Sequence, residues 1–445
     1  MVEVMAQEHM PPKPLNAPWL SKFARLGWAG IEELHDADEV AGAVIDGSPG
    51  CNSSVSVLRV RGSPSPVRRL SCGRHAGQEA QPERQVDASG VSHGDKVVEA
   101  RFVAKRAVPQ GPALDVAMLQ RWYQRERGFY AEVAPGLDGA GDAGRDEDDG
   151  EAPAAGLKVP RCAVLGPDAC GDAGENFLLV LEYLGAPSWR VVDPEVGCTE
   201  AEALAAVSAL AWTHGRFLAR PERLAACRWL PKTPVHVELG GMIQDYYAGA
   251  WEQVRSRLHL PDAVAGMCEA MCASYSTLLR RMAEPPVTLV HGDFRLENLR
   301  FGATADSGSG RFPVAAFDWQ FCCQARGAYD LAYFMCLAMP PKERRAREPA
   351  LRRCYLQEIR GAAGAKRADE ALAELEADLC VALLLITASF VMGAATCPAD
   401  TAEMHERSLQ WLAAAAQDWN VGRMLPTPRN PLGGAPPAVA VACAM

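Results

Sequence analysis

The spacing of apolar positions divides the chain into a strand-rich first part and a helix-rich second part. Residues Val55 to Val60 alternate between apolar and polar side chains, and Val97 to Lys105 is a second run typical of a strand. Phe177 to Leu184 is a continuous apolar run, which favours a buried strand. After it the spacing is mostly helical, beginning with Glu200 to Ala219, whose first turn is acidic. The pattern predicts an α+β fold.

A helical stripe between Leu114 and Val133 contains one carboxylate among its apolar residues. Steps of four, four, three and four residues place on one face Met118, Trp122, Glu126, Phe129 and Val133. A buried carboxylate is costly unless it is paired, and Lys105, at the end of a predicted strand, is its natural partner. The alternatives are a solvated Lys105 and a Glu126 at the edge of the stripe, where neither residue needs a partner.

Two short apolar runs further along the chain predict a hairpin. Leu299 to Phe301 and Val314 to Phe317 read as strands, and Gly302 to Gly310, rich in Gly, Ser and Asp, reads as the loop between them. Because a hairpin sets its open ends side by side, Asn298 and Asp318, one residue outside those ends, are expected to lie close together.

A second carboxylate, Asp293, stands five residues before Asn298 and directly follows the apolar run Val287 to Val290. Carboxylate and amide oxygens suit Mg²⁺, whose remaining ligands are commonly phosphates. The set predicts a phosphoryl-transfer site, in which Asp293 accepts the proton of a substrate hydroxyl while Asn298 and Asp318 hold the metal. The alternative, a surface loop that carries three polar residues by chance, fits a lone Asp-x4-Asn better than this combination.

The motif His291-Gly-Asp-x4-Asn, followed by Asp318-Trp-Gln and by Asp330-Leu-Ala-Tyr-Phe, resembles the aminoglycoside phosphotransferase superfamily. Within it, the likeness is to the CHK (choline/ecdysteroid kinase-like) branch, which is similar in fold to protein kinases. The resemblance implies a bilobal molecule, with a small antiparallel β-sheet lobe that carries one main helix and a larger helical lobe. It implies ATP and Mg²⁺ as cofactors. A protein substrate is not expected, because Gly292 replaces the Arg of protein kinases and Asp330 follows Asp318 too closely for an activation segment.

The resemblance also implies where the nucleotide lies. Lys105 would hold its phosphates, and Glu126 would hold Lys105. The backbone from Glu182 to Leu184 would meet the adenine edge. Gly47 and Gly50, which precede the first strand, could offer N–H groups to the phosphates, although two glycines beside a proline also fit an ordinary hairpin turn.

The expected organisation is a nucleotide-binding lobe over residues 1–185, a helical lobe with the catalytic loop over residues 186–425 and a disordered tail over residues 426–445. Two flexible insertions are expected in the first lobe, near residues 62–94 and 136–156. The second is the more distinctive, because Asp138 to Glu151 carries seven acids and one Arg among Gly and Ala.

Amino-acid composition argues against several classes of function for this protein. A net charge of −10 over 445 residues argues against a nucleic-acid-binding surface. Fifteen scattered cysteines, with no apolar leader at the start, favour reduced thiols in a cytoplasmic protein. Cys268 and Cys272 lie one helical turn apart without a nearby His to complete a zinc site.

One apolar segment approaches the length of a membrane span. Leu379 to Thr396 has no charge over eighteen residues, but acidic flanks and a high content of small residues favour a helix buried in the larger lobe. No stable membrane insertion is therefore expected.

Several residues of the larger lobe are assigned supporting roles. The resemblance implies that His214 is structural, that His291 orients the catalytic loop and that Asp330 braces this loop from below. Tyr246, Tyr247 and Trp251 are spaced for one helical face between Gly240 and His259, either as core or as an aromatic wall for an acceptor.

The sequence thus predicts an ATP-dependent kinase that phosphorylates a hydroxyl group of a small metabolite, and it does not identify this acceptor. The alternative is a nucleotide-binding pseudokinase or scaffold, suggested by the imperfect glycine loop and the two insertions.

Overall fold

The computed structural model describes residues 31–39, 53–64, 98–107, 119–137, 156–165, 177–305, 311–396 and 402–425. The predicted phosphate loop with Gly47 and Gly50, most of both predicted insertions and the predicted tail lie outside the described residues.

The first lobe is built on a five-stranded antiparallel sheet of order β1-β2-β3-β5-β4. Its strands are β1 (Ile31–Glu39), β2 (Ser53–Pro64), β3 (Val98–Ala107), β4 (Cys162–Leu165) and β5 (Leu178–Glu182). The central strand β3 carries Lys105, which pairs with Val55 of β2 and Leu179 of β5. Lys105 is therefore held from both sides by the sheet. Strand β2 extends to Pro64, so residues 62–64, predicted as the start of the first insertion, lie in this strand.

Within the predicted helical stripe, the described helix begins at Trp122. Helix α1 spans Trp122–Gly128 and continues as a π-helical turn, Phe129–Val133, and a 3₁₀ turn, Ala134–Gly136. Arg121, just before it, has φ 55 and ψ 34, a left-handed conformation that ends any helix arriving from upstream. The helical spacing predicted from Leu114 to Val133 is therefore interrupted at Arg121, and residues 114–118 lie outside the described residues.

The second lobe is mostly helical. Its helices are α2 (Glu200–Ala219), α3 (Pro221–Ala226), α4 (Gly240–Val254), α5 (Asp262–Met282), α6 (Ala328–Leu337), α7 (Pro341–Ala363), α8 (Ala365–Leu372), α9 (Leu375–Thr396) and α10 (Ala402–Asp418). Helix α2 begins where its acidic first turn predicts, because Thr199 and Glu202 form a reciprocal capping box.

Two small sheets carry the catalytic region. In one sheet, strand β7 (Thr288–Val290) pairs with β10 (Cys323–Ala325). The second sheet contains β6 (Trp189–Arg190), β8 (Leu299–Gly302) and β9 (Val314–Ala316), with β8 between the other two strands. The predicted hairpin of β8 and β9 is confirmed, and the described residues form the predicted α+β architecture of a small sheet lobe and a larger helical lobe.

The apolar helix α9 lies inside the second lobe. It is long and apolar enough to cross a membrane, yet 72% of its most apolar eighteen-residue window is buried in the protein. Helices α4, α5, α6 and α10 pack around it. This burial accounts for its composition in the way that the sequence predicted.

The aromatic face of α4 differs from the prediction. Tyr247 and Trp251, four residues apart, are buried, whereas Tyr246 is 47% exposed. Adjacent residues lie about 100° apart around a helix, so Tyr246 and Tyr247 do not share its buried face. The helix also ends at Val254, before the predicted His259.

Candidate active site

The catalytic loop leaves β7 at Val290 and turns sharply at Gly292. This glycine has φ +85, and a Cβ built on it would lie 2.4 Å from the backbone oxygen of Phe321. No other residue fits this position without a shift of the backbone. Asp330, on α6, fixes the turn by accepting the N–H groups of His291 at 2.6 Å and Gly292 at 2.9 Å. The predicted bracing contact is thus present.

The two histidines assigned supporting roles both hold this region by hydrogen bonds. His291 bridges the loop, since its Nε2 lies 2.9 Å from the Phe317 carbonyl and its Nδ1 accepts the Asp293 N–H at 3.2 Å. His214 is fully buried between the Tyr355 hydroxyl, 2.8 Å away, and Asp330, 3.3 Å away. Both contacts agree with structural roles.

The side chain of Asp293 is largely buried and is surrounded by donors. Asn298 Nδ2 donates to its Oδ2 at 2.7 Å, and Arg295 Nε lies 3.3 Å from its Oδ1. The sequence predicted the proximity of Asn298, whereas it assigned no role to Arg295.

The orientation of the Asn298 amide fits a cation ligand. Its Nδ2 donates both to the Asp293 carboxylate and to the Asp293 carbonyl, at 2.7 and 2.9 Å, so Oδ1 is the amide atom that can bind a cation. Across the hairpin, the Phe317 N–H donates to the Asn298 carbonyl at 3.1 Å, which places Asp318 at the same end.

Asp318 itself has a left-handed backbone, with φ 64 and ψ 57. The described part of the chain contains no group of three or more His, Cys, Asp or Glu side chains suited to a metal. A site of one amide and one carboxylate is instead the kind that Mg²⁺ shares with phosphates.

Lys105 joins the two lobes at this site. Its Nζ lies 2.7 Å from Glu126 Oε2, on α1, and 2.6 Å from Asp318 Oδ1. The predicted pairing of the stripe carboxylate with Lys105 is therefore present. Burial favours the neutral amine, but Asp318 and Glu126 together raise the pKa of Lys105 above its usual value. Burial, aided by Asp318, raises the pKa of Glu126 to about 7 even though Lys105 opposes it.

Helix α1 is docked on the residues that follow Asp318. Phe129 stacks on Trp319 with ring centroids 3.9 Å apart and an interplanar angle of 9°, and Trp122 meets Phe321 edge-on at 4.8 Å. Trp122 and Phe129 both belong to the stripe that contains Glu126. The apolar stripe thus serves to fix Glu126 against the other lobe.

A cleft of about 450 Å³ opens beside Lys105 between the two lobes. Its lining includes Glu182, Leu184 and Arg300. The guanidinium carbon of Arg300 lies 4.6 Å from the centre of the Phe317 ring. The Glu182 N–H already donates to the Arg161 carbonyl at 2.8 Å, so it is not available to a base. A contact between adenine and this backbone segment stays a prediction, and the sequence did not single out Arg300.

The family model of the ecdysteroid kinase-like family matches residues 86–364. The chain belongs to this family. The predicted resemblance to aminoglycoside and ecdysteroid kinase-like proteins is thereby confirmed, and the matched span of this kinase-like family includes Lys105, Glu126, Asp293, Asn298 and Asp318. No curated protein matches the sequence.

Solved structures with low sequence identity also align with this family member. One is a Plasmodium vivax ethanolamine kinase, with a TM-score of 0.44, 9% identity and coverage of 87% of this chain and 82% of that chain. Another is a putative aminoglycoside phosphotransferase from Ralstonia eutropha JMP134, with a TM-score of 0.45, 14% identity and coverage of 92% of this chain and 98% of that chain.

Proposed function

We propose that this protein is an ATP- and Mg²⁺-dependent kinase that transfers the γ-phosphate to a hydroxyl group of a small molecule. The observation that carries the proposal is the convergence of a buried Lys105–Glu126 pair from one lobe with Asp318, Asn298 and Asp293 from the other. Each lobe alone provides only part of this set.

The residues that would bind the nucleotide phosphates and the metal are identified by their charge and by the ligand atoms that they have available. Lys105 is held protonated by its two acidic neighbours, so it can bind phosphate oxygens. Asn298 Oδ1 and Asp318 would hold Mg²⁺. When bound, this ion neutralises charge on the nucleotide phosphates.

Asp293 is placed to act on the acceptor. Its carboxylate would accept the proton of the attacking hydroxyl, while the hydrogen bond from Asn298 keeps it beside the metal ligands. Asp330 lies only twelve positions after Asp318, and the described structure fills the connection with the 3₁₀ turn Trp319–Phe321, strand β10 and the start of α6. This short connection supports a small-molecule acceptor over a protein.

The intact set opposes the alternative of a pseudokinase or scaffold. A protein that only binds nucleotide has no need for Asp293, whereas here the Asp293 carboxylate accepts a hydrogen bond from Asn298 and lies 3.3 Å from Arg295 Nε.

We also propose a cytoplasmic protein without nucleic-acid partners. Every cysteine in the described stretches is a free thiol, and most of these thiols are buried. Reduced cysteines are typical of the cytosol. The net charge of −10 supports the absence of nucleic-acid binding.

The test is transfer of label from ATP carrying a labelled γ-phosphate to pools of hydroxylated metabolites, with and without Mg²⁺. We expect one pool to become labelled by the wild type in a Mg²⁺-dependent manner. D293N should lower the rate by about 10²–10⁴-fold, because it removes a general base. Calorimetric titration should show that D293N still binds ATP. Wild-type turnover in D293N would refute the role of Asp293.

A further inference from the structure

The cleft beside Lys105 has an apolar wall on the side of the first lobe. Val103 lies two residues before Lys105 on β3, so both side chains point to the same face of the sheet. Val55 pairs with Lys105, and Leu181 pairs with Val103, which places these two side chains on that face as well. The residues Val55, Val103 and Leu181 all line the cleft and form its apolar wall.

The facing side of the cleft comes from the second lobe and contains Arg300, on β8, and Phe317, after β9. The Arg300 guanidinium lies over the Phe317 ring, with its carbon 4.6 Å from the ring centre, which is a cation–π distance. Its Nη1 donates to the carbonyls of Leu299 at 2.8 Å and Glu297 at 3.2 Å. Arg300 is only 5% exposed. These contacts hold a planar cation in one position beside the cleft.

The contacts of Arg300 favour recognition of a flat ring over recognition of phosphate. An arginine binds phosphate through the N–H groups at the edge of its guanidinium, and Nη1 on this edge already donates to two backbone carbonyls. Phe317 covers one face of the plane, so a ring in the cleft would use the other face. Guanidinium planes stack on aromatic rings, including nucleobases.

We propose that the base of the bound nucleotide stacks on the Arg300 guanidinium and lies between it and the apolar wall. This inference rests on the proposed function. Stacking uses the face that every base has and leaves its hydrogen-bonding edge aside, so Arg300 contributes affinity for ATP and GTP alike.

Two substitutions separate the plane of Arg300 from its charge. R300A removes both, and R300K keeps the charge without the plane. Arg190 supplies a matched control, because it also lines the cleft, while its guanidinium lies over the Phe312 ring at 5.0 Å and pairs with Glu202. R190K therefore makes the same change at a second arginine of the same cleft.

Calorimetric titration of ATP, GTP and inorganic triphosphate, each with Mg²⁺, tests the stacking role. We expect R300A to weaken the binding of ATP and of GTP by the same factor, about 5- to 150-fold, which is the loss of one base stack. Triphosphate has no base, so its affinity should stay within about twofold, which also shows that the variant is folded. R300K should resemble R300A, and R190K should resemble the wild type.

The stacking role is overturned if R300A keeps the wild-type affinity for ATP, or if R300K restores it. It is also overturned if triphosphate loses as much affinity as ATP, since a distorted site or a phosphate contact affects both ligands, or if the wild type binds ATP no more tightly than triphosphate. In all of these cases the kinase assignment stands, because it is tested by D293N. A wild type that binds neither ATP nor GTP contradicts the kinase assignment itself.

Discussion

Lys105, Glu126 and Asp318 form a cluster of one cation and two anions between the lobes. Lys105 lies within 2.7 Å of both Glu126 and Asp318, and Glu126 is the fully buried member of the two acids. Burial raises the pKa of Glu126, and the nearby Asp318 raises it further, because one lysine cannot fully compensate both carboxylates. In the nucleotide-free protein, this glutamate therefore titrates near neutral pH.

This titration has a defined sign for stability. The pKa of Glu126 rises from 4.5 to about 7 on folding, so the folded state binds more protons than the unfolded state between these values. Stability must then fall as pH rises through this interval and level off above it. Glu126→Gln, which stays neutral, should lack this fall.

Chemical denaturation of the nucleotide-free wild type and E126Q between about pH 5 and 8 isolates the effect. We expect the wild type to lose stability relative to E126Q as pH increases. Parallel pH profiles for the two proteins would show that Glu126 is ionised throughout and would refute the raised pKa.

At the scale of elements, helix α1 connects the lobes through both stacking and a buried charge. Arg125 is fully buried, and its Nη1 donates to the Pro234 carbonyl at 2.5 Å. Its Nε and Nη2 have no hydrogen-bond partner, and it forms no ion pair with any residue that the structure describes. Burial lowers the pKa of Arg125 to about 10, so it is still charged at neutral pH. An uncompensated buried charge of this kind reduces stability.

Arg125→Met should therefore raise the free energy of unfolding, by about 1–2 kcal/mol, since methionine fills similar space without the charge. Arg127→Met, half-buried on the same helix, is the control and should give no gain. Urea unfolding of the three proteins measures the difference. A destabilised R125M would mean that the bond to Pro234 outweighs the cost of the charge.

Local sequence patterns sufficed for elements that are stabilised locally. The β8–β9 hairpin follows from two apolar runs and a polar loop, and the start of α2 follows from the Thr199–Glu202 capping box. Residue 121 has a left-handed backbone but is an arginine, not the glycine or asparagine that would indicate this conformation from the sequence. The interruption of the helical spacing at Arg121 therefore could not be read from the neighbouring residues alone.

At the scale of the whole molecule, the site exists only where two distant parts of the chain meet. Lys105 and Asp318 are 213 residues apart in sequence and 2.6 Å apart in space. Their meeting could be anticipated, because a carboxylate in an apolar stripe needs a cation and the motif around Asp293 needs a phosphate-binding lysine. The contact of Arg295 Nε with Asp293 Oδ1, at 3.3 Å, could not, because an arginine two residues after an aspartate is equally consistent with exposure to solvent.

The proposed kinase activity is tested most simply by Mg²⁺-dependent release of phosphate from ATP by the purified protein, since this assay requires no knowledge of the acceptor. We predict slow release by the wild type, lost on removal of Mg²⁺ and lost in D293N while ATP binding persists. Equal release by the wild type and D293N, or none by a wild type that binds Mg²⁺ and ATP, would contradict the assignment of this family member as an active kinase.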